Sequence, residues 1–284
     1  MSKPAVIVVT SHVARGGVGG RASVFALERM GFPVWSVPTV VLPWHPGHGR
    51  ATRIVPEGAA FGALLADLAG SPSLGEVGAL FSGYLGSAAQ ADAVAALAAA
   101  LKARNPAALF LCDPVAGDSA GLFQPEDVLS AIRARLVPMA DIATPNRFEL
   151  GWLTDMGVGD NAALVAAARA LGPAEVVVTS AFAALGETGV LAVTRERADL
   201  ASHRLVAGAP HGTGDLFAAV YLGHRLDGLA PPAAMERAAS AVLSLIEQAA
   251  LTGADELPLA AGQAAFGAAP SGVRVTPLAP TSAP

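Results

Sequence analysis

Short, continuously apolar runs alternate along this chain with longer segments whose apolar residues recur every three or four positions. Residues 5–9 are wholly apolar and mostly β-branched, the pattern of a parallel strand buried on both faces. The glycine-rich Arg15-Gly16-Gly17-Val18-Gly19-Gly20 follows, and then an amphipathic helix over about 21–30 that Gly31 ends. Residues 34–41 predict a second strand broken by Pro38, and the prolines and glycines of 42–53 predict an irregular loop. Helices are expected at 58–68, 88–104, 125–135, 147–154, 162–171, from 213, and at 233–250. Strands are expected at 79–82, 109–112, 175–178, 190–193 and 202–206. In the longest early helix, Val94, Leu97, Ala98 and Leu101 fall at i, i+3, i+4 and i+7 and form a buried stripe.

Strands alternating with helices at this spacing imply an α/β fold: a three-layer sandwich with a mostly parallel central sheet and helices on both faces. One domain is expected over 1–265, followed by a Pro/Ala-rich, disordered tail over 266–284. With 53% hydrophobic and 14% charged residues there is ample core material. A net charge of -5 and the absence of any basic run argue against a nucleic-acid surface. No apolar run approaches the roughly 20 residues that cross a bilayer, and the amino terminus lacks the pattern of a signal peptide. The single cysteine, Cys112, lies in an apolar run and reads as a packed, inert thiol. A chain without an internal disulfide fits a reducing, cytoplasmic setting.

Candidate chemistry concentrates in Pro210-His211-Gly212-Thr213-Gly214-Asp215-Leu216-Phe217. Gly212 and Gly214 let a ligand approach the main chain closely. The apolar run that follows reads as a buried helix, whose first amides have no partner inside it and make an anion site. Asp215, in that first turn, is placed to accept a proton from a substrate hydroxyl beside a phosphoryl group held by the amides. A depressed pKa is expected for such a first-turn acid. Taken alone, the motif fits an ordinary helix acid after a flexible turn equally well. The Gly16–Gly20 stretch lacks the spacing of a dinucleotide fingerprint, and no acidic residue ends a second strand about 20 residues on.

Several further segments, in order, resemble the ribokinase superfamily and its pyridoxal kinase branch. They are Ser11-His12-Val13, Ser82-Gly83-Tyr84-Leu85-Gly86-Ser87-Ala88, Cys112-Asp113-Pro114-Val115-Ala116-Gly117-Asp118, Ala140-Asp141-Ile142-Ala143-Thr144-Pro145-Asn146-Arg147-Phe148-Glu149 and Val178-Thr179-Ser180. With the Gly-Thr-Gly-Asp turn they span roughly residues 5–250. The resemblance implies a ribokinase-like fold and an ATP-dependent kinase acting on the hydroxymethyl group of pyridoxal. Asp215 would be the catalytic base, and Gly212, Thr213 and Gly214 the anion hole. Ser11, Val18, His45 and Tyr84 would line the vitamin pocket. Asp113, Asn146, Glu149, Thr179 and Ser180 would serve ATP, with Asp113 and Glu149 holding Mg2+ through water. Asp118, Thr144 and Thr179 would surround a monovalent cation, K+ or Na+. The loop 117–124 resembles a flap that folds over ATP, and the branch is usually homodimeric.

The chain departs from the branch in one place. After the second strand, where these kinases commonly have Gln-Phe-Ser-Asn-His, it carries Val41-Leu42-Pro43-Trp44-His45, with Pro46 next; Gly20 stands at a usual Asn position. Lost polar groups weaken discrimination among acceptors, and Trp44 is a candidate to stack on the ring instead. Two alternatives stay open: a kinase of another small alcohol, such as hydroxymethylpyrimidine or a sugar, and a vitamin B6 carrier without useful catalysis.

Overall fold

The computed structural model describes residues 3–278. Its strands are β1 (Ala5–Val13), β2 (Val34–Leu42), β3 (Val77–Ser82), β4 (Leu109–Cys112), β5 (Gly117–Asp118), β6 (Gly121–Leu122), β7 (Ile142–Ala143), β8 (Glu175–Ala181), β9 (Glu187–Thr194), β10 (Ala198–Arg204) and β11 (Arg274–Pro277). The helices are α1 (Gly20–Arg29), α2 (Gly58–Ala69), α3 (Ala88–Arg104), α4 (Glu126–Ala131), α5 (Arg147–Thr154), α6 (Asn161–Leu171), α7 (Thr213–Leu226), α8 (Pro231–Thr252) and a short α9 (Leu259–Gly262). Nine strands form one sheet in the order β11-β10-β9-β8-β7-β4-β3-β1-β2, and β5 with β6 makes a separate hairpin. The run from β2 to β8 is parallel, and β9, β10 and β11 join antiparallel.

Side chains alternate across each strand, so the apolar run of β1 serves both faces. Val6 and Val8 pack with α1, α7 and α8, whereas Ile7 and Val9 pack with α2 and α3. A third cluster seats α5 and α6 on β8 and β9 through Leu150, Leu164, Val176 and Val178. Helices thus cover both faces, as the alternating sequence pattern implies. Cys112 is buried, and burial pushes its thiol up to about 12, consistent with an inert packing role. No helix among the described residues is long and apolar enough to cross a membrane.

Four expectations need correction. Pro38 does not break β2, which runs unbroken through Val34–Leu42 at the sheet edge; its missing N–H is tolerated there, and the ladder shifts register between Thr10 and His12. The helix expected at 125–135 is regular only as far as Ala131, and Ile132–Leu136 form one wider turn. The strand expected at 202–206 is Ala198–Arg204. Its start was hidden by Asp199, a buried acid that Arg197 neutralises at 2.6 Å, and Leu205 and Val206 leave the sheet to line a cavity. Part of the tail is ordered: Phe266 is buried and β11 pairs antiparallel with β10. Residues 279–284, also in the expected tail, lie outside the described residues.

Candidate active site

The carboxyl ends of the parallel strands and the start of α7 meet on one side of the sheet, where doubly wound folds place ligands. Gly212 caps α7 with φ 91°, and a Cβ there would fall on the Gly17 carbonyl oxygen. Only glycine fits this contact, which brings the 15–20 turn against the helix start. Gly19 meets the same demand: it has φ 55°, and a Cβ would collide with the Ser11 hydroxyl. Ser23 ties the start of α1 to this region, its hydroxyl donating to the Gly19 carbonyl at 3.1 Å. Ser11, Val18, Gly212 and the helix-start amides of Thr213 and Gly214 therefore adjoin one another.

Asp215 sits at the floor of this cleft, reached by solvent only in part. Desolvation pushes its carboxyl up to about 6, although the amides of Gly19 and of Asp215 itself face it and hold it down. The depressed pKa expected of a first-turn acid is reversed, because removal from water outweighs the helix-start amides. Asp113, at the end of β4, is raised well above the usual carboxylate range by burial and by repulsion from Glu149 and Asp215. Burial likewise carries Glu149 to about 7 against the pull of three amides. Those amides are Ala116 N and Gly117 N, donating to Oε1 at 2.7 and 3.3 Å, and Asn146 N, donating to Oε2 at 2.8 Å. Asn146 completes a capping box on α5 and donates from its side chain to the Gly117 carbonyl at 2.8 Å.

Glu149 and Asn146 thus hold the base of the β5–β6 hairpin, whose far side exposes Phe123. Gln124 closes the other side, donating to the Val115 carbonyl at 2.8 Å. Asp118 is turned to its own hairpin, accepting from Ala120 N at 2.7 Å, and hydrogen-bonds to neither Thr144 nor Thr179. The structure does not itself bring together the three residues expected around a monovalent cation. Thr144 and Thr179 lie at the ends of neighbouring strands, Thr179 N donating to the Pro145 carbonyl at 3.0 Å. A bulge at Ser180, with φ 56°, shifts the β8–β9 register between Thr179 and Ala181. Thr179, Ser180, Thr213 and Gly214 border a cavity of about 240 Å³ whose inner wall includes Leu205, Val206, Phe217 and Val242. Those wall residues escaped the sequence reading, because Leu205 and Val206 read as the end of a strand and Phe217 and Val242 as helix core. A larger cavity of about 430 Å³ opens at the opposite end of the sheet, beside Lys3, His224 and Phe266, away from these groups.

Hard oxygen donors that carry unrelieved charge are what a cation stabilises. Glu149 and Asp215 raise the proton affinity of Asp113, Asp215 raises that of Glu149, and the Thr144 hydroxyl oxygen is buried without a hydrogen-bond partner. Oxygen donors of this kind suit a hard cation that shares its coordination with a bound ligand, since among the described residues no three acids, histidines or cysteines enclose a metal by themselves.

The remaining expected residues form the opposite wall. Tyr84 is pinned by its backbone, its N–H donating to Thr10 Oγ1 at 3.1 Å and its carbonyl accepting from Thr39 Oγ1 at 2.6 Å. Arg53, missed in the sequence, reaches the Tyr84 hydroxyl at 3.4 Å. His45 stacks on His211 with centroids 4.0 Å apart. Burial first, then His211, lowers its pKa, so its ring is neutral at neutral pH. His45 Nδ1 accepts from Gly47 N at 3.1 Å, which assigns the proton to Nε2. Trp44 donates to the Gly49 carbonyl at 3.1 Å within its own loop.

Comparison with known proteins agrees with this arrangement. Residues 76–260 match the phosphomethylpyrimidine kinase family model. The chain is 37% identical over 273 residues to a pyridoxal kinase of Rubrobacter xylanophilus, covering 93% of this chain and 94% of that protein. It is 38% identical over 266 residues to a pyridoxine/pyridoxal/pyridoxamine kinase of Bordetella pertussis, covering 90% and 93%. A pyridoxal kinase from Leishmania donovani, solved with ADP and pyridoxamine, superposes with a TM-score of 0.91 at 27% identity, covering 97% of this chain and all of the other. On matched length and fold alike, the chain belongs to the pyridoxal kinase family of ribokinase-like phosphotransferases.

Proposed function

We propose that this protein is an ATP-dependent pyridoxal kinase, transferring the γ-phosphoryl group of ATP to the 5'-hydroxymethyl oxygen of pyridoxal to give pyridoxal 5'-phosphate and ADP. The observation that carries this reading is the desolvated Asp215 at the amide-rich mouth of α7, between the 240 Å³ cavity and the wall of Ser11, Val18, His45 and Tyr84.

The adenine end of ATP occupies the apolar cavity, and Thr179 and Ser180 meet its phosphates at the strand end. Asp215 accepts the proton of the acceptor hydroxyl as that oxygen attacks phosphorus and the bond to the ADP oxygen breaks. With its pKa near 6, Asp215 is mostly ionised at neutral pH and remains a useful acceptor. Amides of Gly212, Thr213 and Gly214 neutralise charge on the transferring group without reorganising. Mg2+ held by Asp113 and Glu149 would supply charge neutralisation at the phosphate oxygens, and a K+ or Na+ ion near Thr144, Thr179 and Asp118 would add to it. Asn146 orients the hairpin that closes over ATP and excludes water. A homodimer in the cytoplasm fits the family pattern.

ADP release with magnesium-ATP and potassium, across pyridoxal, pyridoxine, pyridoxamine, hydroxymethylpyrimidine and ribose, tests the assignment. Turnover selective for pyridoxal is expected. Turnover confined to another alcohol would move the substrate, and vitamin binding without turnover would make the protein a carrier.

A further inference from the structure

Glu256 lies after α8, more than 200 residues from the loops it touches. Its Oε2 accepts from the Gly17 amide at 3.0 Å, and its Oε1 stands 2.9 Å from His48 Nε2 and 3.7 Å from the Arg15 guanidinium. Neighbouring Asp255 takes Arg15 at 2.6 Å. One largely covered carboxylate therefore joins the glycine-rich turn that carries Val18 to the loop that carries His45. The fit is close: a Cβ at Gly16 would lie 2.6 Å from Glu256 Oε1.

The 42–53 loop is anchored at its two ends: the Ala14 and Arg15 amides donate to the Leu42 and Pro43 carbonyls at 2.9 and 2.8 Å, the Val41–Ile54 bridge meets the sheet, and Arg53 reaches Tyr84. Between those ends it is held by the His45–His211 stack and by Glu256 on His48. Its regular structure is a single short turn, Pro46–His48, with no buried residue. This is the stretch where, by the family resemblance, polar side chains give way to Val41, Pro43, Trp44 and Pro46.

We infer that Glu256 is a positioning residue for the acceptor: it clasps the 15–20 turn to the 42–53 loop and so sets the shape of the vitamin pocket from outside it. This rests on the reading of that pocket as the acceptor site. The clasp orders the pocket before the acceptor arrives, so less loop entropy is lost on binding. Its loss falls on acceptor affinity rather than on phosphoryl transfer or ATP.

Glu256→Ala should raise the KM for pyridoxal about tenfold or more, the scale of losing one charge-assisted hydrogen bond. The KM for ATP and kcat at saturating pyridoxal should stay within about twofold. Glu256→Gln should recover most of the loss, because its carbonyl can accept from Gly17 and its amide can donate to His48. His48→Ala frees only one of the two loops and should give a smaller rise. Amide hydrogen exchange, read on the same proteins without substrate, should quicken at both 15–20 and 42–53 in Glu256→Ala but only at 42–53 in His48→Ala. Unchanged pyridoxal KM in Glu256→Ala, an equal rise in the ATP KM, or unchanged exchange at both loops would overturn the clasp. If the wild type turns over a different alcohol, the substrate reading fails, and the same KM comparison with that alcohol and the exchange data still decide the clasp.

Discussion

Replacing Asp215 with Asn separates chemistry from folding, because the two effects carry opposite signs. The carboxyl's pKa is near 6 in the folded protein against an ordinary value of 3.8, so ionising it at the cleft floor opposes folding. For a raised acid the native state holds the proton more tightly than the unfolded chain. Its unfavourable contribution is therefore absent below about pH 4, grows as pH rises through the window up to 6, and is complete above it. At about 1.4 kcal/mol per pKa unit, the full effect is of order 3 kcal/mol. The neutral amide of Asp215→Asn escapes this and also stops repelling Asp113 and Glu149. The variant should thus melt several degrees above wild type at pH 8 and close to it at pH 4. Catalysis moves the other way: loss of general-base assistance costs about 10²–10⁴ in turnover, or roughly 3–5 kcal/mol of barrier, while affinity for ATP stays nearly unchanged. In the wild type, kcat at saturating magnesium-ATP and pyridoxal should fall below about pH 6 as Asp215 protonates. Steady-state ADP release and thermal melts at the two pH values check both halves. A variant with near-wild-type turnover, or one less stable than wild type at pH 8, would refute the reasoning.

Two further outcomes follow from the same geometry. Gly212→Ala puts a Cβ on the Gly17 carbonyl at φ 91°. Strain of about 1–3 kcal/mol and a displaced anion turn should cut kcat severely and lower the melting temperature; circular dichroism melts with kinetics would tell. Mg-ADP should raise the melting temperature more at pH 8 than at pH 5.5, since Glu149, with a pKa of about 7, is largely protonated at the lower pH and Asp113 is raised in the same direction, so the pair offers a cation less charge. An equal or larger shift at pH 5.5, or no dependence on Mg2+ when it is removed with a chelator, would count against those carboxylates as the metal's partners.

Local signals in this sequence carried the fold far. The continuous apolar run of β1 feeds two clusters on opposite faces, and the stripe through Val94 and Leu101 lies buried as its spacing required. The Gly-Thr-Gly-Asp turn could be read as a helix start because its chemistry is local: a positive φ, unpaired amides and one acid within four residues. What escaped depends on the sheet as a whole. Pro38 looks like a breaker until its strand is known to be an edge, and β11 looks like tail until β10 is seen to lack a second neighbour. The pKa of Asp215 was misjudged for the same reason, since the burial that raises it comes from elements distant in sequence.

The acceptor side shows why that division matters for function. The phosphate-facing groups are fixed by contacts between a strand end and the turn that follows it, so their identities travel as short motifs. The proposed vitamin-facing wall is assembled from loops that meet through long-range pairs, among them Gly17 with Glu256, His48 with Glu256, and His45 with His211. A motif comparison sees Val41-Leu42-Pro43-Trp44 as polar groups lost. The fold shows their loop tied down from behind by a carboxylate outside every motif. Acceptor binding can therefore be retained through loop placement where direct polar contacts have gone, and in such a chain specificity depends as much on the clasp as on the residues that face the ring.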